Sequence, residues 1–245
     1  MKIKKRNIFR IVWFSLITIF FIWNWTTYQS RNLPEITFAD DDNVTVIKSS
    51  DKITFISNNS SYQNEIIFFQ GGLTDPKAYG PLCRKIAENG FTCHLIKMNW
   101  RMPLWDYKKI ESMFELKNGN YIIGGHSQGA KMASQFVFEN PNLMKGLFLL
   151  GTSHPRDFDL SNRTLPTIKL YGEFDGLASV SEVMENKDKL PKSASLIELK
   201  GGNHSQFGYL GKLLTDDKAQ IDLEEQQGLT LEALVDFFKK IETEK

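Results

Sequence analysis

Hydrophobic residues fall into two kinds of stretch along this chain. One is a long run, 11–30, that contains no charged side chain. The others are short apolar runs, such as Ile66–Phe69 and Gly146–Leu150, with longer mixed segments between them. Short unbroken apolar runs are typical of strands covered on both faces of a parallel sheet, and mixed segments are typical of helices. This alternation predicts an α/β fold with a doubly wound, mostly parallel sheet of about eight strands.

Local signals place the individual elements. Val44–Lys48 and Lys52–Ser57 are β-rich and flank a short polar segment, which predicts a hairpin before the parallel strands. Further strands are predicted at Ile66–Phe69, Phe91–Met98, Tyr121–Gly124, Gly146–Leu150, Thr167–Tyr171 and Ser195–Leu199. Helices are predicted at about Pro76–Glu88, Leu104–Leu116, Ser127–Asn140, Ser181–Leu190 and Thr230–Ile241. The polar segment Thr152–Pro166 is short, so we expect no large cap domain and an open site.

The uncharged run 11–30 is predicted to be a transmembrane anchor. A helix of this length extends about 30 Å, which is the thickness of the hydrocarbon core of a bilayer. A buried helix is disfavoured because the run has no polar face. A cleaved signal peptide is the stronger alternative, but the first alanine is Ala39, so no A-x-A cleavage site follows the run. Trp23, Trp25 and Tyr28 cluster at its end, as in an interfacial aromatic belt.

The distribution of charge around this run predicts its orientation. Residues 1–10 hold five cations and no acid, and several acids follow the run at 35–42. The positive-inside rule then predicts a single-pass cell-membrane protein with a cytoplasmic N-terminus and with residues 31–245 on the extracytoplasmic side. The predicted organisation is a basic start (1–10), an anchor (11–30), a stalk (31–43) and an α/β domain (44–245).

Composition excludes two classes of function. The body of the chain after the basic start is mildly acidic, which does not suit binding to nucleic acid. The only cysteines, Cys83 and Cys93, lie in apolar surroundings, and the histidines lack metal-ligand spacing. We therefore expect no metal and no cofactor.

The first motif that indicates a catalytic residue is Gly125-His126-Ser127-Gln128-Gly129, which lies between a predicted strand and a predicted helix. In that context a G-x-S-x-G sequence predicts a nucleophile elbow, with Ser127 as the nucleophile. A helix N-cap serine on an ordinary turn is the alternative.

Two further strand ends carry an acid and a base. Asp175 follows the strand Thr167–Tyr171, and His204 follows Ser195–Leu199 after two glycines. An Asp-Gly turn or an incidental loop histidine is the alternative for each one alone. The chain order serine, acid, histidine is that of α/β-hydrolases, and together the three predict a catalytic triad of Ser127, Asp175 and His204.

Acyl transfer also needs N–H donors for the oxyanion. The elbow supplies the backbone N–H of Gln128. The second donor is predicted in the loop after the strand Ile66–Phe69, at Leu73, with Gly72 as the fallback. Trp100 and Trp105 follow the next strand and are predicted either to wall the substrate pocket or to pack in the core.

Three motifs together resemble a compact bacterial branch of the α/β-hydrolase family. They are the G-G-L-x-D-P-x-x-Y sequence from Gly71 to Tyr79, the G-G-H-S-x-G sequence from Gly124 to Gly129 and the G-G-N-H-x-Q-F-G sequence from Gly201 to Gly208. The resemblance spans residues 66–238 and implies the Ser127/Asp175/His204 triad and carboxylic-ester hydrolysis. Ala130 and Gln128 depart from residues common at their positions, and Gln128 places an amide near the oxyanion site.

The sequence thus predicts a membrane-anchored serine hydrolase that acts on a small-molecule acyl substrate. An acyltransferase that passes the acyl group to an envelope acceptor is an alternative. A third possibility is a binding protein that kept the fold without catalysis.

Overall fold

The computed structural model describes residues 5–60 and 62–243, and residues 1–4 of the predicted basic start lie outside this description. One sheet has the strand order β1-β2-β4-β3-β5-β6-β7-β8. β2 is antiparallel to β1 and β4, and the other neighbours are parallel, which confirms the predicted eight-stranded, mostly parallel sheet. The strands are β1 (Val44–Lys48), β2 (Lys52–Ser57), β3 (Glu65–Phe69), β4 (Cys93–Ile96), β5 (Tyr121–His126), β6 (Gly146–Leu150), β7 (Thr167–Gly172) and β8 (Ser195–Leu199).

The α-helices are α1 (Lys5–Thr27), α2 (Gly80–Glu88), α3 (Pro103–Asp106), α4 (Ile110–Met113), α5 (Gln128–Glu139), α6 (Val180–Glu185) and α7 (Leu223–Thr243). The single helix predicted at Leu104–Leu116 is wrong, because α3 and α4 are separate and a 3-10 turn lies between them. The Asp106 carboxylate accepts the Asn99 N–H at 2.8 Å and the Lys109 ammonium at 3.1 Å. These side-chain bonds compete with a continuous helix at this position.

Alternation along β3 divides the core into two layers. Ile66 and Phe68 face the side covered by α2 and α7, whereas Ile67 and Phe69 face the side covered by α5. All four side chains are buried. Burial of each stabilises the fold by about 1.5–3 kcal/mol, so the sheet is a firm platform for residues at its strand ends.

The segment predicted as a stalk, 31–43, is instead packed on the domain. The buried guanidinium of Arg84 donates to the carbonyls of Ile36 at 2.8 Å and Ala39 at 2.6 Å, and it pairs with the Asp41 carboxylate. The Arg31 N–H donates to the Tyr209 carbonyl at 2.8 Å. A buried guanidinium needs acceptors, and this segment supplies them.

Helix α1 is apolar and lies outside the core. No part of its most apolar stretch is buried against the rest of the protein, and its length and composition suit a membrane span, although a signal sequence meets the same criteria. At 1.5 Å per residue the helix extends about 34 Å.

Candidate active site

Ser127 lies in a sharp turn between β5 and α5. Its backbone has φ 54° and ψ −119°, a strained conformation for a residue with a side chain. The glycines on either side permit close packing: a Cβ on Gly125 would lie 2.2 Å from the Phe69 carbonyl oxygen, and one on Gly129 would lie 2.2 Å from that of Gln70. This is the geometry of a nucleophile elbow.

Asp175 and His204 meet across the ends of β7 and β8. The His204 Nδ1 lies 3.0 and 2.9 Å from the two carboxylate oxygens of Asp175, and both residues are buried. Asp175 Oδ1 also accepts the N–H groups of Leu177 and Ala178 at 2.9 and 2.6 Å. An ionised carboxylate can only accept hydrogen bonds, so this pairing assigns the proton of the neutral ring to Nδ1 and the free lone pair to Nε2.

A second carboxylate, missed by sequence reasoning, holds the His204 loop in place. The buried Asp216 accepts the His204 N–H at 3.3 Å and the N–H and hydroxyl of Ser205 at 2.7 and 2.5 Å. It also accepts the Gly176 N–H at 3.1 Å, which ties the loop of His204 to that of Asp175. Asp216 lies in an irregular loop with no strand before it, so no local pattern indicated this role.

Ser127 and His204 line the same cavity of about 210 Å³. The cavity lies at the carboxyl ends of the parallel strands, where ligands bind in open α/β sheets. Much of its remaining wall is apolar and comes from loops distant in sequence: Tyr28, Leu73, Met102, Leu177 and Leu213. Ser127 and His204 therefore border one space that a substrate could occupy.

An adjoining cavity, also of about 210 Å³, shares Ser127 and His204 but has a polar wall. Lys131, His154 and Arg156 contribute to this wall. Lys131 pairs with Asp157 at 3.2 Å and Arg156 with Glu182 at 3.2 Å, so the wall is polar but not strongly cationic. The Nδ1 of buried His154 has no hydrogen-bond partner among the described residues, and burial lowers the pKa of this imidazole to about 4.

The two predicted oxyanion donors differ in their availability. Gln128 is the first residue of α5, where the backbone N–H has no partner one turn earlier. The Leu73 N–H donates to the Arg101 carbonyl at 2.7 Å, so the prediction of Leu73 as the second donor is wrong in this geometry. Gly72, the fallback, lies against Gln128: a Cβ on it would be 3.1 Å from the Gln128 amide. Its N–H is the remaining candidate in this loop.

The prediction that Trp100 and Trp105 wall the pocket is also wrong. Their side chains are 83% and 71% exposed, and the loop reaches the cavity through Met102. Trp100 and Arg101 have φ values of 53° and 57°, which turn the chain sharply after β4. The same exposure also rules out the alternative that the two indole rings pack in the core.

A buried polar network lies beneath His204. The His126 ring is fully buried and its centroid is 4.4 Å from that of His204. Its Nδ1 lies 2.8 Å from the Tyr79 hydroxyl, which accepts the Gly71 N–H at 3.1 Å. Burial lowers the pKa of His126 well below its usual value, so the ring is neutral. This network connects the loop of Gly71 and Gly72 to the base of the site.

The chain that leaves α1 also contributes to the site. Tyr28 lines the apolar cavity, and its carbonyl accepts the Asp75 N–H at 2.8 Å. The Ser30 hydroxyl donates to the Asp75 carboxylate at 2.8 Å. Sequence reasoning placed Tyr28 only in an aromatic belt, because its contacts depend on a loop far along the chain.

Comparison with known proteins agrees with this architecture. The model of the alpha/beta hydrolase family matches residues 65–228, and the chain belongs to this family. No curated protein matched the sequence.

Solved structures with similar folds include two lipases and Est1E. A soluble variant of monoglyceride lipase from Saccharomyces cerevisiae is 9% identical, with a TM-score of 0.61, and the match covers 87% of this chain and all of that one. A monoacylglycerol lipase from Paleococcus ferrophilus is 12% identical, with a TM-score of 0.57 and coverages of 79% and 99%. Est1E from Butyrivibrio proteoclasticus is 11% identical, with a TM-score of 0.54 and coverages of 80% and 99%. At these identities the likeness concerns the fold.

Proposed function

We propose that this protein hydrolyses carboxylic esters through an acyl-enzyme formed on Ser127. The observation that carries the proposal is the pairing of the His204 Nδ1 with both oxygens of Asp175, in a cavity that Ser127 also lines. That pairing leaves the other ring nitrogen able to accept a proton. The strained turn at Ser127 supports the proposal further, since it exposes the hydroxyl at the strand end.

The mechanism follows from these positions. The His204 Nε2 takes the proton of Ser127 as Oγ attacks the ester carbonyl, and Asp175 stabilises the imidazolium. The N–H groups of Gln128 and Gly72 stabilise the oxyanion, each to the extent of about 10²–10³ in rate. His204 then gives its proton to the departing alcohol. Water, activated by the same ring, hydrolyses the acyl-enzyme to release the acid.

Helix α1 serves in this proposal as a retained membrane anchor, with the N-terminus in the cytoplasm and the hydrolase domain outside. Tyr28, Ser30 and Arg31 all contact the folded domain, so cleavage just after the apolar run would remove part of the cavity wall. This favours an anchor over a cleaved signal peptide. The basic residues at 1–10, which precede the uncharged run 11–30, support the orientation.

Replacement of the nucleophile tests the proposal. Ser127→Ala is expected to lower turnover of p-nitrophenyl butyrate by about 10³-fold or more. Ser112→Ala, which removes an exposed hydroxyl on α4, is the matched control and keeps the wild-type rate. Equal rates for Ser127→Ala and the wild-type protein would refute the acyl-enzyme on Ser127.

A further inference from the structure

The end of α1 is attached to the loop that borders the cavity. The Arg101 guanidinium lies 3.7 Å from the centroid of the Trp25 ring and donates to the Gln29 side-chain oxygen at 3.2 Å. The carbonyl of the same Arg101 accepts the N–H of Leu73, a residue of the cavity wall. One residue thus joins the membrane helix to the loop beside Ser127.

This attachment fixes the depth of the cavity relative to the bilayer. Trp25 is two residues before the end of α1, about 3 Å along the helix axis. Tryptophans at the ends of membrane spans lie at the level of the lipid headgroups. Since Arg101 stacks on this ring and Tyr28 lines the cavity, the cavity opens close to the membrane surface.

Exposed apolar side chains lie within the loops that form the cavity wall. Trp100 and Trp105 flank Met102, which lines the cavity, and Leu214 follows Leu213, which also lines it. Leu214 is 65% exposed, and Leu73 and Leu104 are exposed as well. We name these five residues the apolar rim: Leu73, Trp100, Leu104, Trp105 and Leu214.

A lipid bilayer is the occupant that fits the apolar rim. The loop that carries Trp100 is attached to α1 through Arg101 and Trp25, and the apolar side chains of α1 are themselves exposed and need lipid around them. Exposed tryptophan and leucine side chains enter the headgroup boundary readily, because this removes their apolar surface from water. An apolar patch of this kind on a soluble surface marks an interaction site.

We infer that the substrates are long-chain esters resident in the membrane that holds α1. The acyl chain passes from the bilayer across the apolar rim into the cavity lined by Tyr28, Leu73 and Met102. The alcohol part occupies the adjoining polar cavity, where the buried His154 Nδ1 has no partner among the described residues. This inference rests on the proposed ester hydrolysis and narrows its substrate class to amphiphilic esters.

Two substrates separate this inference from the proposed function. The full-length chain is reconstituted in vesicles of dialkyl ether phosphatidylcholine, a lipid without ester bonds. Release of oleic acid from 1-oleoylglycerol in these vesicles is compared with hydrolysis of p-nitrophenyl butyrate in water. We expect Trp100→Ser/Trp105→Ser to lower the ratio of the first rate to the second by at least tenfold. Ile47→Ser/Leu229→Ser, which changes two exposed apolar residues outside the rim, should keep the wild-type ratio.

The outcomes are distinct. If the wild-type protein cleaves neither substrate, the proposed hydrolysis itself fails. If it cleaves the butyrate but not vesicle-borne oleoylglycerol, or if the tryptophan variant keeps the wild-type ratio, the inference of membrane substrates is overturned. Leu214→Ser provides a second rim variant with a smaller change in volume, and a lowered ratio for it supports the inference independently.

Discussion

The imidazole of His126 lies against that of His204, with ring centroids 4.4 Å apart and planes inclined by 52°. The proposed mechanism protonates His204, and a second positive ring at this distance would oppose that step. His126 avoids the conflict because burial and the neighbouring His204 both lower its pKa well below the usual value. The Tyr79 hydroxyl at 2.8 Å from the Nδ1 holds the neutral ring in place.

Tyr79→Phe is therefore expected to destabilise the fold by about 1–3 kcal/mol, since the buried Gly71 N–H and His126 Nδ1 both lose their partner. Urea unfolding followed by circular dichroism measures the change. Tyr121→Phe, at a partly exposed tyrosine, is the control and should stay within about 0.5 kcal/mol of the wild-type protein. Equal free energies of unfolding for the two variants would show that the hydrogen bonds of the Tyr79 hydroxyl to Gly71 and His126 do not stabilise the fold.

Two glycine substitutions on helices should have opposite effects. In Gly129→Ala the new Cβ would meet the carbonyl oxygens of Gln70 and Phe69 at 2.2 and 2.4 Å, so the turn at Ser127 must distort and both stability and activity fall. In Gly228→Ala, on α7, nothing lies within 4 Å of the new Cβ. This variant should gain about 0.5–1 kcal/mol, because alanine loses less entropy than glycine in a helix. The midpoints of thermal unfolding of the two variants are compared with that of the wild-type protein. A Gly129→Ala protein as stable and active as the wild-type protein would contradict the close packing of Gly129 against the carbonyl oxygens of Gln70 and Phe69.

The lowered pKa of His154 predicts that the folded protein loses stability in mild acid. Burial lowers its pKa in the folded protein to about 4, below the unfolded value of about 6.5. Between these values the unfolded chain binds a proton that the folded protein does not, so stability falls as the pH decreases from 6.5 to about 4. The contribution is at most about 1.4 kcal/mol for each pH unit.

The variant His154→Gln lacks the titratable imidazole. The free energy of unfolding of this variant should therefore fall less steeply than that of the wild-type protein between pH 6.5 and pH 4. Above pH 7.5 the two proteins should show parallel pH dependence, which is an internal control. Identical slopes between pH 4 and 6.5 would mean that His154 titrates normally in the folded state.

The contacts of residues 28–31 predict where the chain can be shortened. A protein of residues 27–245 keeps the Tyr28, Ser30 and Arg31 contacts with the domain and should hydrolyse p-nitrophenyl butyrate at close to the full-length rate. A protein of residues 33–245 lacks this part of the cavity wall and should lose at least tenfold in rate. The hydrolysis rates of the two proteins are measured under identical conditions. Equal rates would show that residues 28–31 contribute nothing to the site.

The parts of this molecule that were predictable from sequence depend on local signals. Buried strands such as Ile66–Phe69 are unbroken apolar runs, and the turn at Ser127 is marked by flanking glycines between a strand and a helix. Chain order then suggested Asp175 and His204, which the fold brings within hydrogen-bonding distance of each other. Each of these signals lies within a few residues of the feature it indicates.

The parts that were missed depend on contacts between distant segments. Whether the Leu73 N–H is free depends on the Arg101 carbonyl, and whether 31–43 is a stalk depends on the buried charge of Arg84. The exposure of Trp100 accompanies a positive φ of 53°, and no residue in the local sequence indicates this backbone conformation. No periodicity or motif in the chain encodes these pairings.

The most direct test of the central claim is to locate the residue that reacts with a fluorophosphonate. Trypsin releases residues 118–131, in which Ser127 is the only serine. Mass spectrometry of the labelled full-length protein should find the phosphonyl group on Ser127 in this peptide, with no adduct in Ser127→Ala. An adduct on a different residue, or esterase activity that persists while Ser127 is fully labelled, would contradict the assignment.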